Sequence, residues 1–364
     1  MAAARPATCS EIVGIQETTS PQTCRMSVVI PVYNHPHNLE QCLVAVKAAH
    51  LAVEVIVVDD GSTEDVCSVA LKHGARYIRI PQRSGPPSAR NRGWRAARGE
   101  LIAFVDSDVV VPSEVLARMQ KLVAENPLLA GVFGSYDDEP AAGSFYSQFR
   151  NLLHHYIHQV SKEQAQTFWT GCGALRKSVL EESGGFDEAL FAMDDVELGM
   201  RLARTGALIY LDKSLQVKHL KEWTLASTLH TDIFLRAVPW TRLLAKRNAV
   251  PRDLNLGYRA RYSAVLVMLL FLTALLLPAY SARHGWESSA PLLALAALSV
   301  AGLFFINHDF YAFLARKRGL WFACAGVIAH WFYFFYSGAT FLVVWLVTRG
   351  SHFRREDKSV ALQG

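Results

Sequence analysis

The sequence LIAFVDSDVVV at Leu101–Val111 contains the two features from which the fold class is inferred. Its first five residues form an apolar run that predicts a buried parallel strand, and Asp106 and Asp108 follow directly. In open α/β sheets, ligands bind at the carboxyl ends of the strands. Two carboxylates at that edge can share one divalent cation, because hard oxygen ligands hold Mg²⁺ or Mn²⁺ against a diphosphate. An isolated Asp-x-Asp is more often a solvated turn, so the interpretation depends on the rest of the chain.

Strand and helix patterns alternate on both sides of this stretch. This alternation predicts βαβ units and a doubly wound, mostly parallel sheet. The predicted strands are residues 27–32, 53–58, 76–80, 101–105 and 130–134, and the predicted helices are 39–50, 64–73, 89–98 and 112–125. The turn PVYN after the first strand has no glycine. It therefore lacks the G-x-G-x-x-G phosphate cradle, and a dinucleotide dehydrogenase is disfavoured.

Charged side chains follow two other predicted elements. The second strand ends in DDGS, which places Asp60 at the same sheet edge as the first two carboxylates. An acid there can accept a hydrogen bond from a nucleobase N–H or a ribose hydroxyl, although an Asx turn explains the same residues equally well. Arg90 and Arg92 lie near the start of a predicted helix, where guanidinium groups suit phosphate oxygens. A solvated basic helix face is the alternative for these two arginines.

Five motifs in order carry a resemblance to a known family. They are SVVIPVYN at 27–34, VIVVDDGST at 55–63, G-x-x-x-A-R-N-x-G at 85–93, FVDSD at 104–108, and GGFDE at 184–188 followed by MDDVEL at 193–198. Together they resemble glycosyltransferase family 2, whose catalytic domain has the GT-A fold, from about Met26 to His219. The resemblance implies that Pro31, Tyr33 and Asp60 line the nucleotide pocket, with Asp60 on the base. It also implies that FVDSD supplies the D-x-D motif, whose two acids bind the diphosphate and the metal.

The second half of this domain supplies the expected acceptor side. The segment FWTGCGA, which contains Trp169 and Gly171, predicts an aromatic strand ending in small residues that let a substrate approach the backbone. By resemblance, Asp194 and Asp195 match the family's acidic pair, in which the second acid is the catalytic base. The first member is Asp here and not Glu, and acids in a first helical turn are otherwise ordinary dipole partners. His219 stands where GT-A enzymes often carry a histidine that completes the metal shell.

Composition divides the chain into a soluble part and a membrane part. The 364 residues are 51% hydrophobic with a net charge of +5, and long apolar stretches dominate beyond about residue 255. Residues 1–25 lack a run long enough for a signal peptide and are predicted to be a disordered leader. The catalytic domain at 26–222 is therefore expected in the cytoplasm. Residues 223–260 mix aromatic, aliphatic and basic side chains as amphipathic interfacial helices do, with packing against the soluble domain as the alternative.

About three membrane spans are predicted within residues 261–348, at 262–280, 291–307 and 321–348, before a basic tail at 349–364. The basic residues at 316–318 agree with a cytoplasmic catalytic domain under the positive-inside rule. The basic tail would then lie outside, unless the last segment is a hairpin or re-entrant. Basic residues crowd beside the first apolar stretch, which suits an anionic membrane surface better than nucleic acid. The expected location is the inner (plasma) membrane, with several spans.

The preferred interpretation is a membrane-anchored, inverting and non-processive glycosyltransferase. It would move a sugar from a nucleoside-diphosphate sugar to a hydroxyl of a lipid, lipid-linked or glycan acceptor. Asp195 would take the proton, and Mg²⁺ or Mn²⁺ held by Asp106, Asp108 and His219 would stabilise the leaving diphosphate. A processive polysaccharide synthase is less favoured, because no Gln-x-x-Arg-Trp motif follows His219. A nucleotidyltransferase and an inactive membrane scaffold subunit are the remaining alternatives.

Overall fold

The computed structural model describes residues 26–49, 51–247 and 257–361 of the chain, which divides into two compact units. The first unit contains the chain up to Ala141 together with Glu163–Lys221. The second contains Ala142–Lys162 and the chain from Glu222 onward. The predicted leader at 1–25 lies outside the described residues.

A nine-stranded mixed sheet forms the centre of the first unit as far as its residues are described. The strands are β1 (Met26–Val32), β2 (Glu54–Asp59), β3 (Arg76–Arg79), β4 (Leu101–Val105), β5 (Val109–Val110), β6 (Leu129–Tyr136), β7 (Gln164–Ala165), β8 (Cys172–Arg176) and β9 (Leu208–His219). Their order is β3-β2-β1-β4-β8-β6-β9-β5, with β7 paired to β9. Strands β1, β2, β3, β4, β6 and β9 run in one direction, so the predicted mostly parallel sheet is confirmed.

Strand β8 runs against the direction of both of its neighbours in the sheet. β8 lies between β4 and β6 and runs antiparallel to both. Because it is antiparallel, the amino end of β8 meets the carboxyl end of β4, with Val105 opposite Cys172. The backbone N–H of Asp106 then donates to the carbonyl of Gly171 at 3.3 Å. The expected acceptor segment is thereby placed beside the D-x-D motif.

Helices cover both faces of the sheet. Those of the first unit are α1 (Pro36–Ala48), α2 (Val66–Lys72), α3 (Pro86–Ala96), α4 (Val115–Glu125), α6 (Lys177–Ser183) and α7 (Asp194–Arg204). Along β1, Val28 and Ile30 pack on one face with α1, α2 and α4, whereas Val29 packs on the other with α3, α6 and α7. Gly93 lets α3 approach β1 closely, since a Cβ there would lie 2.3 Å from a methyl group of Val29.

The second unit is entirely helical where it is described. It contains α5 (Phe145–Val160), α8 (Leu225–His230), a π-helical segment (Thr231–Ala237), α9 (Val238–Arg247), α10 (Tyr258–His284), a 3₁₀ turn (Trp286–Ser289), α11 (Ala290–Arg318) and α12 (Leu320–Ala361). Three segments, Tyr258–His284, Trp286–Arg318 and Leu320–Thr348, are long and apolar enough to cross a membrane, with mean hydropathies of 2.3, 2.1 and 1.5. Their number agrees with the predicted number of spans, and that they cross a membrane stays a prediction.

Two features of this unit differ from the sequence expectations. The second candidate span is longer than the predicted 291–307, because the helix continues to Arg318. α12 is one continuous helix through the predicted third span, so the described residues contain neither the hairpin nor the re-entrant segment.

The structure also divides the predicted domain at 26–222. Residues 142–162 belong to the second unit, because Phe149 and Leu152 of α5 pack against Phe310, Tyr311 and Leu314 of α11. In sequence α5 has the same amphipathic pattern as any helix of an α/β domain. Only its packing partners show where it belongs.

The predicted interfacial segment at 223–260 is helical as far as it is described, and residues 248–256 lie outside the description. Trp240 and Leu243 on α9 are buried within the protein, whereas Leu225 and Phe234 are exposed. Part of its apolar surface is therefore buried within the protein, and packing of this segment against the soluble domain stays a prediction. Contact of the exposed part with a membrane surface stays a prediction.

Candidate active site

Asp60 fixes the loop that leads into α3. The residue follows β2 and is buried, and its backbone N–H donates to the carbonyl of Val32 at 2.8 Å. Its carboxylate accepts the backbone N–H groups of Ser84 at 2.8 Å and Gly85 at 2.9 Å. Each oxygen therefore already holds one protein donor. The expected contact of Asp60 with a nucleobase stays a prediction.

Tyr33 and two residues that the sequence analysis missed form a stack at the same edge. The guanidinium of Arg83 lies 4.1 Å from the ring centre of Tyr33 and 5.2 Å from that of Phe191. Both rings are well exposed. Pro31, the other predicted pocket residue, lies in β1 opposite Val58. No local signal marks Arg83 or Phe191, because their contact joins two loops that are distant in sequence.

Arg90, predicted to bind the nucleotide sugar, is held by two protein carboxylates. Its guanidinium is buried and donates to Asp194 Oδ2 at 2.7 Å and to Asp106 Oδ1 at 3.0 Å. Burial by itself would lower the pKa of Arg90, but the charges of Asp194, Asp106 and Asp195 outweigh it and raise that pKa.. Two of the guanidinium nitrogens are thus used by protein carboxylates, and its Nε atom is buried without a hydrogen-bond partner. Arg92, on the same helix, is exposed.

Asn91 fixes the loop that contains the GGFDE motif. Its Nδ2 atom donates to the carbonyl of Phe186 and to Glu188, each at 2.8 Å. Its Oδ1 atom accepts from the backbone N–H of Phe186 at 3.0 Å and from the Trp94 indole at 2.8 Å. Asn91 belongs to the motif at 85–93, where nothing in its neighbours marks it as a site residue. Its partners Phe186 and Glu188 lie 95 and 97 residues further along the chain, which no local pattern shows.

The three acids at the start of α7 have three different environments. Asp194 is buried against Arg90, and burial raises the pKa of Asp194 to about 6, with Arg90 opposing and Asp195 adding to the effect. Asp195 is half-buried and accepts the backbone N–H and the hydroxyl of Thr170, both at 3.3 Å. Glu197 is buried and pairs with Arg201 at 3.0 Å. Asp195 is therefore the acid of this group that no arginine holds.

Asp108 and His219 are the candidate metal ligands that the structure brings together. Oδ2 of Asp108 lies 3.5 Å from Nε2 of His219, because Val109 pairs with His219 between β5 and β9. Asp106, the third predicted ligand, is held by Arg90 instead. Across residues 26–49, 51–247 and 257–361, no group of three or more His, Cys, Asp or Glu side chains could hold a metal ion.

The predicted three-residue metal site is therefore not assembled by protein side chains alone. A carboxylate and an imidazole still fit Mg²⁺ or Mn²⁺, since such ions usually keep water or phosphate oxygens as further ligands. In that arrangement Asp108 and His219 would be the protein ligands.

Aromatic packing connects the acceptor segment to His219. The Tyr136 ring stacks on the His219 imidazole, with centres 4.2 Å apart. Trp169 meets Tyr136 edge to face at 4.8 Å. A Cβ at Gly171 would lie 2.2 Å from the Trp169 ring, so only glycine allows the indole to fold over the backbone there. The predicted acceptor residues Trp169 and Gly171 thus lie beside the candidate metal ligands.

Comparison with known proteins gives matches of three kinds. The family model of glycosyl transferase family 2 matches residues 27–184. The chain is 26% identical over 268 residues to an uncharacterized protein of Mycobacterium tuberculosis, covering 68% of this chain and 78% of that protein. It is 30% identical over 127 residues to the glycosyltransferase GlyG of Streptococcus pneumoniae, covering 33% of this chain and 42% of GlyG. It thus spans less than half of GlyG. A solved mannosyltransferase of Pyrobaculum calidifontis, in complex with GDP-Man and Mn²⁺, aligns with a TM-score of 0.47 and 20% identity, covering 88% of this chain and 85% of that chain.

Proposed function

We propose a specific reaction for this chain, which is a glycosyltransferase with a family 2 domain of the GT-A fold, followed by helices apolar enough to span a membrane. The family expected from the sequence motifs is thereby confirmed. The proposed reaction is the inverting transfer of one sugar from a nucleoside-diphosphate sugar to an acceptor hydroxyl. The proposed acceptor is a lipid, or a glycan carried on a lipid.

One observation supports this reaction above the others. A single guanidinium, that of Arg90, contacts both Asp106 of the D-x-D motif and Asp194 at the start of α7. The acid expected to face the diphosphate and the helix that carries the candidate base are therefore within one side chain's reach. An in-line displacement requires such an arrangement, with the base on the acceptor side and the leaving group on the other.

The roles of the residues follow from their surroundings. Asp195 is the proposed general base, because it is half-buried, unpaired with any arginine and oriented by Thr170. Tyr33 is proposed to contact the nucleobase, and Asp108 and His219 are proposed to hold the cation. A bound Mg²⁺ or Mn²⁺ would supply positive charge against the developing charge of the diphosphate. Trp169 is proposed to contact the acceptor.

The proposed lipid acceptor rests on the second unit. Its three apolar helices are mostly exposed along their candidate spanning segments, as expected for helices that face lipid. Arg316, Lys317 and Arg318 end α11, and Arg318 donates to Gln148 of α5 at 2.7 Å. Under the positive-inside rule we propose a multi-pass inner-membrane protein with a cytoplasmic catalytic domain.

The test is a donor panel applied to the full chain in lipid nanodiscs. Calorimetry would measure binding of nucleoside-diphosphate sugars with different bases and sugars, with and without Mn²⁺. Incubation of the best donor with lipids and lipid-linked glycans that carry a free hydroxyl, followed by mass spectrometry and NMR of the anomeric centre, would report transfer, the number of sugars added and the configuration.

The expected outcome is addition of one sugar with inverted configuration. Asp108→Asn should weaken donor binding, whereas Glu182→Gln, which removes an exposed acid from α6, should leave it unchanged. Binding of no donor would refute the donor class, a retained configuration would refute the mechanism, and long products would favour a processive synthase.

A further inference from the structure

We propose that Arg90 is a positioning residue that sets the orientation of the base Asp195 through Asp194 and couples it to the donor acid Asp106. This inference rests on the proposed function, because it takes Asp195 as the base. It changes the role expected from sequence, in which the guanidinium binds phosphate. The protein carboxylates already use both terminal nitrogens of Arg90.

The start of α7 depends on this contact. Asp194 is the first residue of the helix, and the preceding Met193 has a left-handed backbone, with φ of 65°, and makes no side-chain cap. The contact from Arg90 at 2.7 Å therefore stabilises a helix end that has no capping side chain. Asp195 is the next residue of the same turn, so its direction follows that of Asp194.

A second contact from α3 fixes the chain just before α7. Asn91, adjacent to Arg90, holds the backbone N–H and carbonyl of Phe186 and the carboxylate of Glu188. Two neighbouring residues of one helix thus fix the segment that leads to the base at two places. α3 is itself held against β1 at Gly93. These contacts consequently fix the position of Asp195 relative to the centre of the sheet.

The same guanidinium connects this segment to the donor side. Its second bond, to Asp106 at 3.0 Å, ends at the residue that follows β4. Three carboxylates, Asp106, Asp194 and Asp195, lie close enough to Arg90 to interact with its charge, and within the described residues none of them forms an ion pair with a second cation. A planar guanidinium can serve two carboxylates at once through separate nitrogens, whereas the ammonium of lysine is a compact point charge. Arginine is therefore required for coupling, and not only for charge.

The test is a double-mutant cycle in the full chain in nanodiscs, with donor affinity and transfer measured separately. Arg90→Lys keeps the charge but should lower kcat about 10²-fold, because a displacement of about 1 Å at the base has that effect. Asp194→Asn should lower kcat by a smaller factor, because the amide oxygen can still accept the hydrogen bond from the Arg90 guanidinium and only the negative charge of the acceptor is lost. If both act on Asp195 by the same route, the double variant should match Arg90→Lys within about twofold.

Donor affinity separates this role from direct donor binding. Asp194→Asn should leave the donor Kd unchanged, whereas Arg90→Lys should weaken it moderately through Asp106. Arg98→Gln removes a solvent-exposed arginine that pairs with Glu54, and it is the matched control expected to change neither quantity.

Four results would overturn the inference. The first is that the effects of Arg90→Lys and Asp194→Asn on kcat multiply in the double variant. The second and third are that Arg90→Lys changes only donor affinity, or changes neither donor affinity nor kcat. The fourth is that Asp194→Asn has native kcat. If Arg90→Lys fails to fold, the kcat of Asp194→Asn by itself tests the inference. Absence of transfer by the unmodified chain would instead contradict the proposed function, so the two failures are distinguishable.

Discussion

Replacing Asp195 by asparagine should slow glycosyl transfer by about 10²–10⁴-fold and leave the fold intact. The magnitude follows from what the substitution removes. Asparagine keeps one oxygen that can accept the two 3.3 Å hydrogen bonds from Thr170, so the substitution loses only the 2.8 Å hydrogen bond that the other oxygen accepts from the backbone N–H of Val196. It loses the ability to take a proton from the acceptor hydroxyl. The expected loss corresponds to about 3–5 kcal/mol of transition-state stabilisation.

Glu197→Gln is the matched control for this prediction, because it removes one negative charge from the same helix turn. Glu197 is buried and bound to Arg201, which also donates to the carbonyl of Gly185 at 2.6 Å. Weakening that pair should cost about 1–3 kcal/mol of stability. The control should therefore lower Tm and leave kcat close to native.

The assay is single-turnover transfer at saturating donor, beside thermal unfolding and calorimetric donor binding for each variant. Asp195→Asn is expected to show native Tm and native donor Kd with a collapsed rate. A near-native rate would refute Asp195 as the base. A collapse of rate in Glu197→Gln without a change in Tm would transfer that role to Glu197.

Three further predictions concern the metal, the pH dependence and the unit boundary. Chelation of divalent cations should abolish transfer and Mn²⁺ should restore it, whereas full turnover in excess chelator would exclude a metal role for Asp108. The pKa of Asp194 rises on folding from 3.8 to about 6, so the folded state binds a proton more tightly and this residue lowers stability as pH rises through that window. Thermal unfolding across the window should show this loss, and Asp194→Asn should remove it. A chain ending after Lys221 should aggregate without detergent in size-exclusion chromatography, because the apolar face of α5 loses the residues that bury it. A monodisperse fragment would contradict this.

Local sequence patterns were sufficient to predict much of the fold. The apolar run before Asp106 is β4, and the predicted strand at 27–32 corresponds to β1. These elements follow from periodicity and hydrophobicity, which are properties of neighbouring residues. The three candidate spans follow for the same reason. The sheet edge with Asp60 also follows, because parallel strands in βαβ units end at one edge.

Packing between segments that are distant in the chain could not be predicted from local sequence patterns. β8 enters the sheet between β4 and β6, an order that depends on which edges remain unpaired once the βαβ units have formed. α5 joins the second unit because its apolar face packs on α11. The local sequence of β8 and of α5 is compatible with more than one position in the fold. Contacts between segments far apart in the chain determine which position each element takes.

The sequence alone predicted which residues carry chemistry, and only the tertiary structure decided which side chains are in contact. The motif containing Arg90 predicted a basic group near the donor, and the guanidinium does contact Asp106. Its other partner, Asp194, lies 104 residues away, so that contact has no trace in local spacing. Arg83 reaches Tyr33 and Phe191 in the same way, between loops that no periodicity relates. Side chains that meet across a folded sheet edge are selected by three-dimensional proximity, which a linear pattern does not encode.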